Sequence, residues 1–199
     1  MNHQFQPTYF PQTTQAAEGL PRRMWSVAEI EAMTALGIFQ EDDRFELIGG
    51  EIVPMSPKGN RHEIYKISLN YFWTKRATSS YRIAPETTFR LDTYTFLEPD
   101  FVFYDGAVKR QDLAPANTWL VVEISDTTLG YDLGRKPLIY ANAGVKALWV
   151  IDVNTLDTHQ FSHPGVDGYQ QTKTIGPKEI LMPDFAPELA VKLAELELI

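Results

Sequence analysis

Two apolar runs and the segment between them predict an α/β fold. Thr118-Trp119-Leu120-Val121-Val122-Glu123-Ile124 and Ala147-Leu148-Trp149-Val150-Ile151-Asp152 are short, rich in β-branched and aromatic residues, and read as central strands buried on both faces. Leu133 to Ala143 has helical length and ends at Gly144, a residue suited to a left-handed cap, so the three segments form a strand–helix–strand unit. Pro137 lacks an N–H and clashes with the carbonyl four residues back, so this helix is expected to begin late or to kink. With 199 residues, 44% of them hydrophobic, the chain can build one domain with a substantial core.

Residues 1–24, rich in Gln, Thr and Pro without periodicity, are expected to form a poorly ordered or extended arm, and residues 25–199 the single domain. Ser26-Val27-Ala28-Glu29 has capping-box spacing, Trp25 and Ile30 can clamp the helix start, and the helix should run to Leu36 and stop at Gly37. Gly49-Gly50 tolerates positive φ at both positions, so Phe45–Ile48 and Glu51–Val53 read as a tight hairpin. Ile64, Ile67 and Tyr71, with neighbouring Leu69 and Phe72, recur at helical spacing from Asn60 to about Arg76, the longest expected helix, with Asn60 as its N-cap. Strands are expected near Tyr81–Ala84, Thr87–Leu91 and Phe101–Tyr104, then a loop from Asp105 to Asn117. Beyond the central unit, Thr158–Ser162 and Tyr169–Thr174 around Pro164-Gly165 read as a hairpin. A last short helix from Pro187 should bury Leu189, Leu193 and Leu196.

Several function classes fall away on composition. The absence of cysteine excludes disulfides and thiolate metal sites. No apolar stretch approaches the roughly 20 residues of a membrane span, and the N-terminus has no signal-peptide pattern, so a soluble, cytoplasmic protein without a membrane partner is expected. A net charge of -8 argues against generic attachment to polyanions. Between residues 58 and 82, however, Lys58, Arg61, Lys66, Lys75, Arg76 and Arg82 face one acid, Glu63; this excess is either a phosphate-tracking surface or a solvated helix face. His62-Glu63 is followed by Lys66 where a metalloprotease helix needs a second His, and no phosphate loop or Gly-X-Ser-X-Gly elbow occurs.

Glu123 stands alone among apolar residues in a strand buried on both faces. A carboxylate there needs compensation, either from an Arg or Lys partner, or by protonation, or from a cation it serves. Asp100 opens a second apolar strand, Phe101-Val102-Phe103, and two acids on neighbouring core strands can share one hard cation, Mg²⁺ or Mn²⁺, with the Ile124 carbonyl in reach. Lys136, thirteen residues beyond Glu123, is a solvated helix residue or an ammonium that positions water and stabilises a phosphorane-like transition state.

An ordered set of motifs then becomes specific. It comprises Arg44 to Glu51, Met55-Ser56-Pro57, Arg61-His62, Pro99-Asp100-Phe101-Val102, Val121 to Asp126, Asp132 to Lys136, Tyr140-Ala141, Ala143-Gly144-Val145 and Leu148 to Asp152. Over residues 26–197 the chain resembles the Uma-type restriction-endonuclease-like family of the PD-(D/E)XK nuclease superfamily. The resemblance implies a restriction-endonuclease-like mixed central β-sheet flanked by α-helices and metal-dependent hydrolysis of phosphodiester bonds, with DNA as the expected substrate. It further implies Asp100 and Glu123 as metal ligands, Glu46 as an N-terminal acid that completes the metal shell directly or through water, and His62 as a phosphate or water contact, the alternative for His62 being a helix-surface residue near the N-terminus. Arg61 and Arg135 join His62 as expected substrate contacts. The chain departs from the superfamily pattern at Ser125, where Glu-X-Lys would place the lysine; the resemblance implies that Lys136 takes over that role from the helix. A homodimer is expected by the same likeness. Two other readings stay open: a catalytically silent nucleic-acid-binding or assembly module on the same fold, and a two-carboxylate glycoside hydrolase, which would leave Lys136 without a task.

Overall fold

The Ser26 side chain accepts the Glu29 N–H (3.2 Å) while the Glu29 carboxylate accepts the Ser26 N–H (2.8 Å), so the first helix begins with the expected reciprocal cap. The computed structural model describes residues 23–40 and 43–199; the expected arm lies, for residues 1–22, outside the described residues. In chain order the elements are α1 (Val27–Ala35), β1 (Phe45–Ile48), β2 (Glu51–Pro54), α2 (Asn60–Thr74), β3 (Tyr81–Pro85), β4 (Phe89–Asp92), β5 (Thr95–Leu97), β6 (Phe101–Asp105), β7 (Thr118–Ser125), α3 (Leu129–Asn142), β8 (Ala147–Asp152), β9 (Thr158–Gly165) and β10 (Gly168–Ile175). They fall into two compact units, one of the residues up to Ser56 with Arg90–Leu97, the other of Pro57–Phe89 with Glu98–Ile199.

The smaller unit holds a four-stranded sheet in the order β2-β1-β5-β4. Its tight turn works as the glycines require, with φ of 58° at Gly49 and 81° at Gly50. Leu47 and Phe96 from the sheet close on Val27 and Ile30 of α1 in a small apolar core. β5 was not expected; three residues are too few to show alternation.

The larger unit is built on a six-stranded mixed sheet, β10-β9-β8-β7-β6-β3, in which β7 and β8 run parallel and the other pairs antiparallel. The parallel pair is joined by α3, giving the expected strand–helix–strand unit, and β7 and β8 are buried almost throughout. Leu69 and Trp73 of α2 belong to the core that includes Phe101, Phe103, Val122 and Ile124. The Tyr140 hydroxyl of α3 reaches Glu123, whose side chain alternates with those of Val122 and Ile124. The two helices therefore cover opposite faces of the sheet.

Five expectations need correction. α2 buries His62, Lys66, Leu69 and Trp73 and leaves Ile67 and Tyr71 exposed, so its inward face is a stripe rotated from the expected one. Its N-cap is Gly59, and Asn60 is already helical; a Cβ at Gly59 would lie 2.4 Å from Asp126 Oδ2, so a side chain there would have to displace the Asp126 carboxylate. α3 starts at Leu129 and carries Pro137 inside, because the Tyr131 and Asp132 N–H groups both bond the Thr128 carbonyl (2.8 and 3.0 Å) and set its first turn independently of the proline. The β9–β10 turn lies at Val166-Asp167, not Pro164-Gly165. Pro164 is tolerated within β9 because pairing with β8 has ended at Ser162, so no ladder donor is missed on that side. The C-terminal helix is instead two 3₁₀ turns, Pro187–Leu189 and Leu193–Glu195, which still bury Leu189 and Leu193. Among the described residues no helix is long and apolar enough to cross a membrane.

Candidate active site

Phe101 pairs with Val122 and Val102 with Val121, so the register continued by one residue sets Asp100 across from Glu123. The Ile124 N–H fixes this arrangement by donating to Asp100 Oδ2 at 2.8 Å. Both carboxylates are buried, Asp100 at 4% exposure and Glu123 at 3%. Each is compensated by cationic or donor groups from one of the two helices or its lead-in.

Glu123 is served from α3. Its Oε1 accepts the Tyr140 hydroxyl at 2.7 Å and lies 2.9 Å from Lys136 Nζ. Lys136 is itself buried and also 3.5 Å from Asp132 Oδ1, one helical turn earlier, while Thr128 donates to Asp132 Oδ2 at 2.5 Å. Lys136 is thus no solvated helix residue: its ammonium is delivered to the Glu123 carboxylate. Ser125, where the resemblance would have placed a lysine, is fully buried, and its hydroxyl has no hydrogen-bond partner among the described residues.

Asp100 is served from α2 and the segment before it. His62 Nε2 lies 3.1 Å from Asp100 Oδ2 and Lys58 Nζ 3.3 Å from Oδ1. His62 is buried, bridging Asp100 and, through Nδ1 at 3.2 Å, Glu63; it is not a helix-surface residue. Burial pushes the Asp100 carboxyl up, but the His62 hydrogen bond, the charges of His62 and Lys58 and the Ile124 N–H together outweigh it and hold the carboxyl below its usual range. Lys58 also reaches Glu86 Oε1 at 2.5 Å, and Lys66 reaches Glu86 at 2.8 Å and Glu63 at 2.7 Å. Partial burial raises the Glu86 carboxyl, yet hydrogen bonds from the two lysines and then their charges bring it down to about 2. Two of the six cations in the basic segment are therefore committed to internal carboxylates.

The other expected residues lie as follows. Arg61 is exposed beside His62 and donates to Asn154 Oδ1 at 3.2 Å. Arg135, half-buried, precedes Lys136 on α3. Glu46 is buried on β1 of the smaller unit, opposite Val53. Glu86 was missed altogether, and Lys58, Lys66, Tyr140 and Asp132 were not assigned to the site. Glu63–Lys66 and Asp132–Lys136 have helical ion-pair spacing, a signal that points to those two pairs; nothing in the sequence brings Glu86 to them.

The donor chemistry suits a hard divalent cation, since the side chains of Asp100 and Glu123 and the neighbouring main chain offer oxygens and no sulfur. Among the described residues no group of three or more His, Asp or Glu side chains is arranged around one point, so a cation here would use two side chains and the main chain.

A mixed sheet with helices on both faces and acids on adjacent strands agrees with the restriction-endonuclease-like fold that the sequence resembles. Consistent with this, a crystal structure described as "a putative nuclease belonging to DUF820 from Anabaena variabilis ATCC 29413" shares the fold, with a TM-score of 0.57 at 17% identity over 81% of this chain and 93% of that one. The Uma2 family model, described as "Putative restriction endonuclease", matches residues 27–194, and the chain belongs to that family. Among curated proteins no relative matches.

Proposed function

We propose that the protein is a Mg²⁺- or Mn²⁺-dependent endonuclease that hydrolyses phosphodiester bonds in DNA. The observation that carries this reading is Asp100 set across from Glu123, with the Lys136 ammonium 2.9 Å from Glu123 Oε1. Asp100, Glu123 and the Ile124 carbonyl would hold the cation, which supplies Lewis acidity toward the phosphoryl group and makes water a stronger acid. Lys136 orients the attacking water and offsets negative charge as it develops on phosphorus-bound oxygens. Tyr140 holds Glu123 in place by its 2.7 Å hydrogen bond. His62 and the Ile124 N–H do the same for Asp100. Arg61 and Arg135 are the proposed phosphate contacts, exposed and half-buried on the two helices that deliver His62 and Lys136.

The test is cleavage of supercoiled plasmid and single-stranded DNA by the purified protein with Mg²⁺, Mn²⁺ or EDTA, with Asp100→Asn beside the wild type. Nicking that needs the divalent ion and disappears in Asp100→Asn is the expected result. DNA that is bound but never cut under any ion would replace this reading with that of a silent binding module.

A further inference from the structure

We infer that Lys58 is a built-in stand-in for the divalent cation: its ammonium compensates Asp100 until a cation takes that role, and then withdraws onto Glu86. This rests on the proposed reading of Asp100 and Glu123 as a cation site. Asp100 Oδ2 is occupied by His62 and the Ile124 N–H, while Oδ1 faces Lys58 Nζ at 3.3 Å. A divalent cation and an ammonium drawn to the same carboxylate repel each other, so the ammonium needs somewhere else to go. Glu86 supplies that place. Lys58 Nζ already sits closer to Glu86 Oε1, at 2.5 Å, than to Asp100, so the transfer requires only a small swing of a flexible side chain.

The position of Glu86 looks built for this. Its φ is +43°, a left-handed conformation unfavourable for a residue with a side chain, and its N–H donates to the Asp100 carbonyl at 3.1 Å. That bond ties the strained residue to the main chain of the acid it serves. Its side chain is 48% exposed, so it can hold an ammonium with less desolvation than Asp100. Lys66, anchored in turn by Glu63, reaches the same Glu86 oxygen at 2.8 Å and keeps it beside Lys58. Lys58 and Glu86 thereby act on cation affinity in opposite directions, the lysine as competitor and the glutamate as its receiver.

The experiment is calorimetric titration of Mn²⁺ alone into the full chain, as wild type, Lys58→Met, Glu86→Gln and Asp100→Asn. Lys58→Met is expected to bind Mn²⁺ about tenfold more tightly than wild type and Glu86→Gln about tenfold more weakly, within the usual size of a coupling between neighbouring sites. Should Lys58→Met fail to fold, Lys58→Gln removes the same charge and is expected to tighten binding likewise. Mn²⁺ bound by wild type and lost in Asp100→Asn, but with both other variants unchanged or shifted the same way, overturns the stand-in and leaves the cation site intact. If neither wild type nor Lys58→Met takes up Mn²⁺, the cation-site reading itself fails and the stand-in falls with it.

Discussion

Lys136→Met is expected to lower DNA cleavage by roughly 10²- to 10³-fold, the scale of losing one preorganised charge aimed at a transition state. The same change should cost stability, on the order of 3–5 kcal/mol, because it strips a buried carboxylate of its ammonium 2.9 Å away. Glu123→Gln should be the milder of the two for stability, since Asp132 at 3.5 Å still faces the buried Lys136. The pair acts as a unit, so the double variant Glu123→Gln/Lys136→Met should lose no more activity than the worse single and unfold at higher denaturant than Lys136→Met alone. Initial cleavage rates and urea midpoints on the four proteins decide this. Wild-type cleavage by Lys136→Met would remove the lysine from the mechanism, and additive losses in the double variant would separate it from Glu123.

Trp73→Ala is expected to destabilise the larger unit by about 3–5 kcal/mol, the usual cost of truncating a buried tryptophan. Trp73 is fully buried, stands edge-on to Phe101 at 5.2 Å and Phe103 at 5.3 Å, and donates its indole N–H to the Leu189 carbonyl at 3.3 Å. One side chain thus links α2, the strand that follows Asp100 and the C-terminal segment. Urea unfolding measures the effect; a loss below about 1 kcal/mol would mean that the core closes over the gap, contrary to the packing described.

What the sequence revealed divides along the range of the interactions involved. The Ser26–Glu29 cap, the Gly49-Gly50 turn and the β7–α3–β8 unit are set by residues close in the chain, and each was legible from them. Asp100 and Glu123 stood out because a lone acid in an apolar strand is conspicuous, and their juxtaposition needed only antiparallel neighbours. The face of α2 was misread because its first turns bury His62 and Lys66 among carboxylates, so hydrophobic periodicity pointed to Ile64, Ile67 and Tyr71 instead. The Lys58–Glu86–Lys66 group was invisible for a related reason: it depends on the backbone angle at one residue after Pro85 and on contacts 20 and 28 residues apart. The β9–β10 turn carries its glycine, Gly168, one position after Val166-Asp167, while Pro164-Gly165 offered a stronger but misleading turn signal.

The division of α2 into a polar beginning and an apolar end also sets how the helix comes apart. Leu69 and Trp73 tie its second half to the core, whereas the first half is held by ion pairs and hydrogen bonds at His62, Glu63 and Lys66. Fraying of those first turns parts polar contacts and frees from the apolar core only the partly buried Tyr65, so it should precede opening of the second half and leave the sheet intact. Native-state hydrogen exchange should therefore show the amides of Ile64 to Ile67 exchanging well before those of Leu69 to Trp73; equal protection along the helix would mean that it opens only as a whole. The groups that hold Asp100 in place would then be among the first parts of the larger unit to breathe, giving a rigid scaffold a locally yielding rim beside that buried carboxylate.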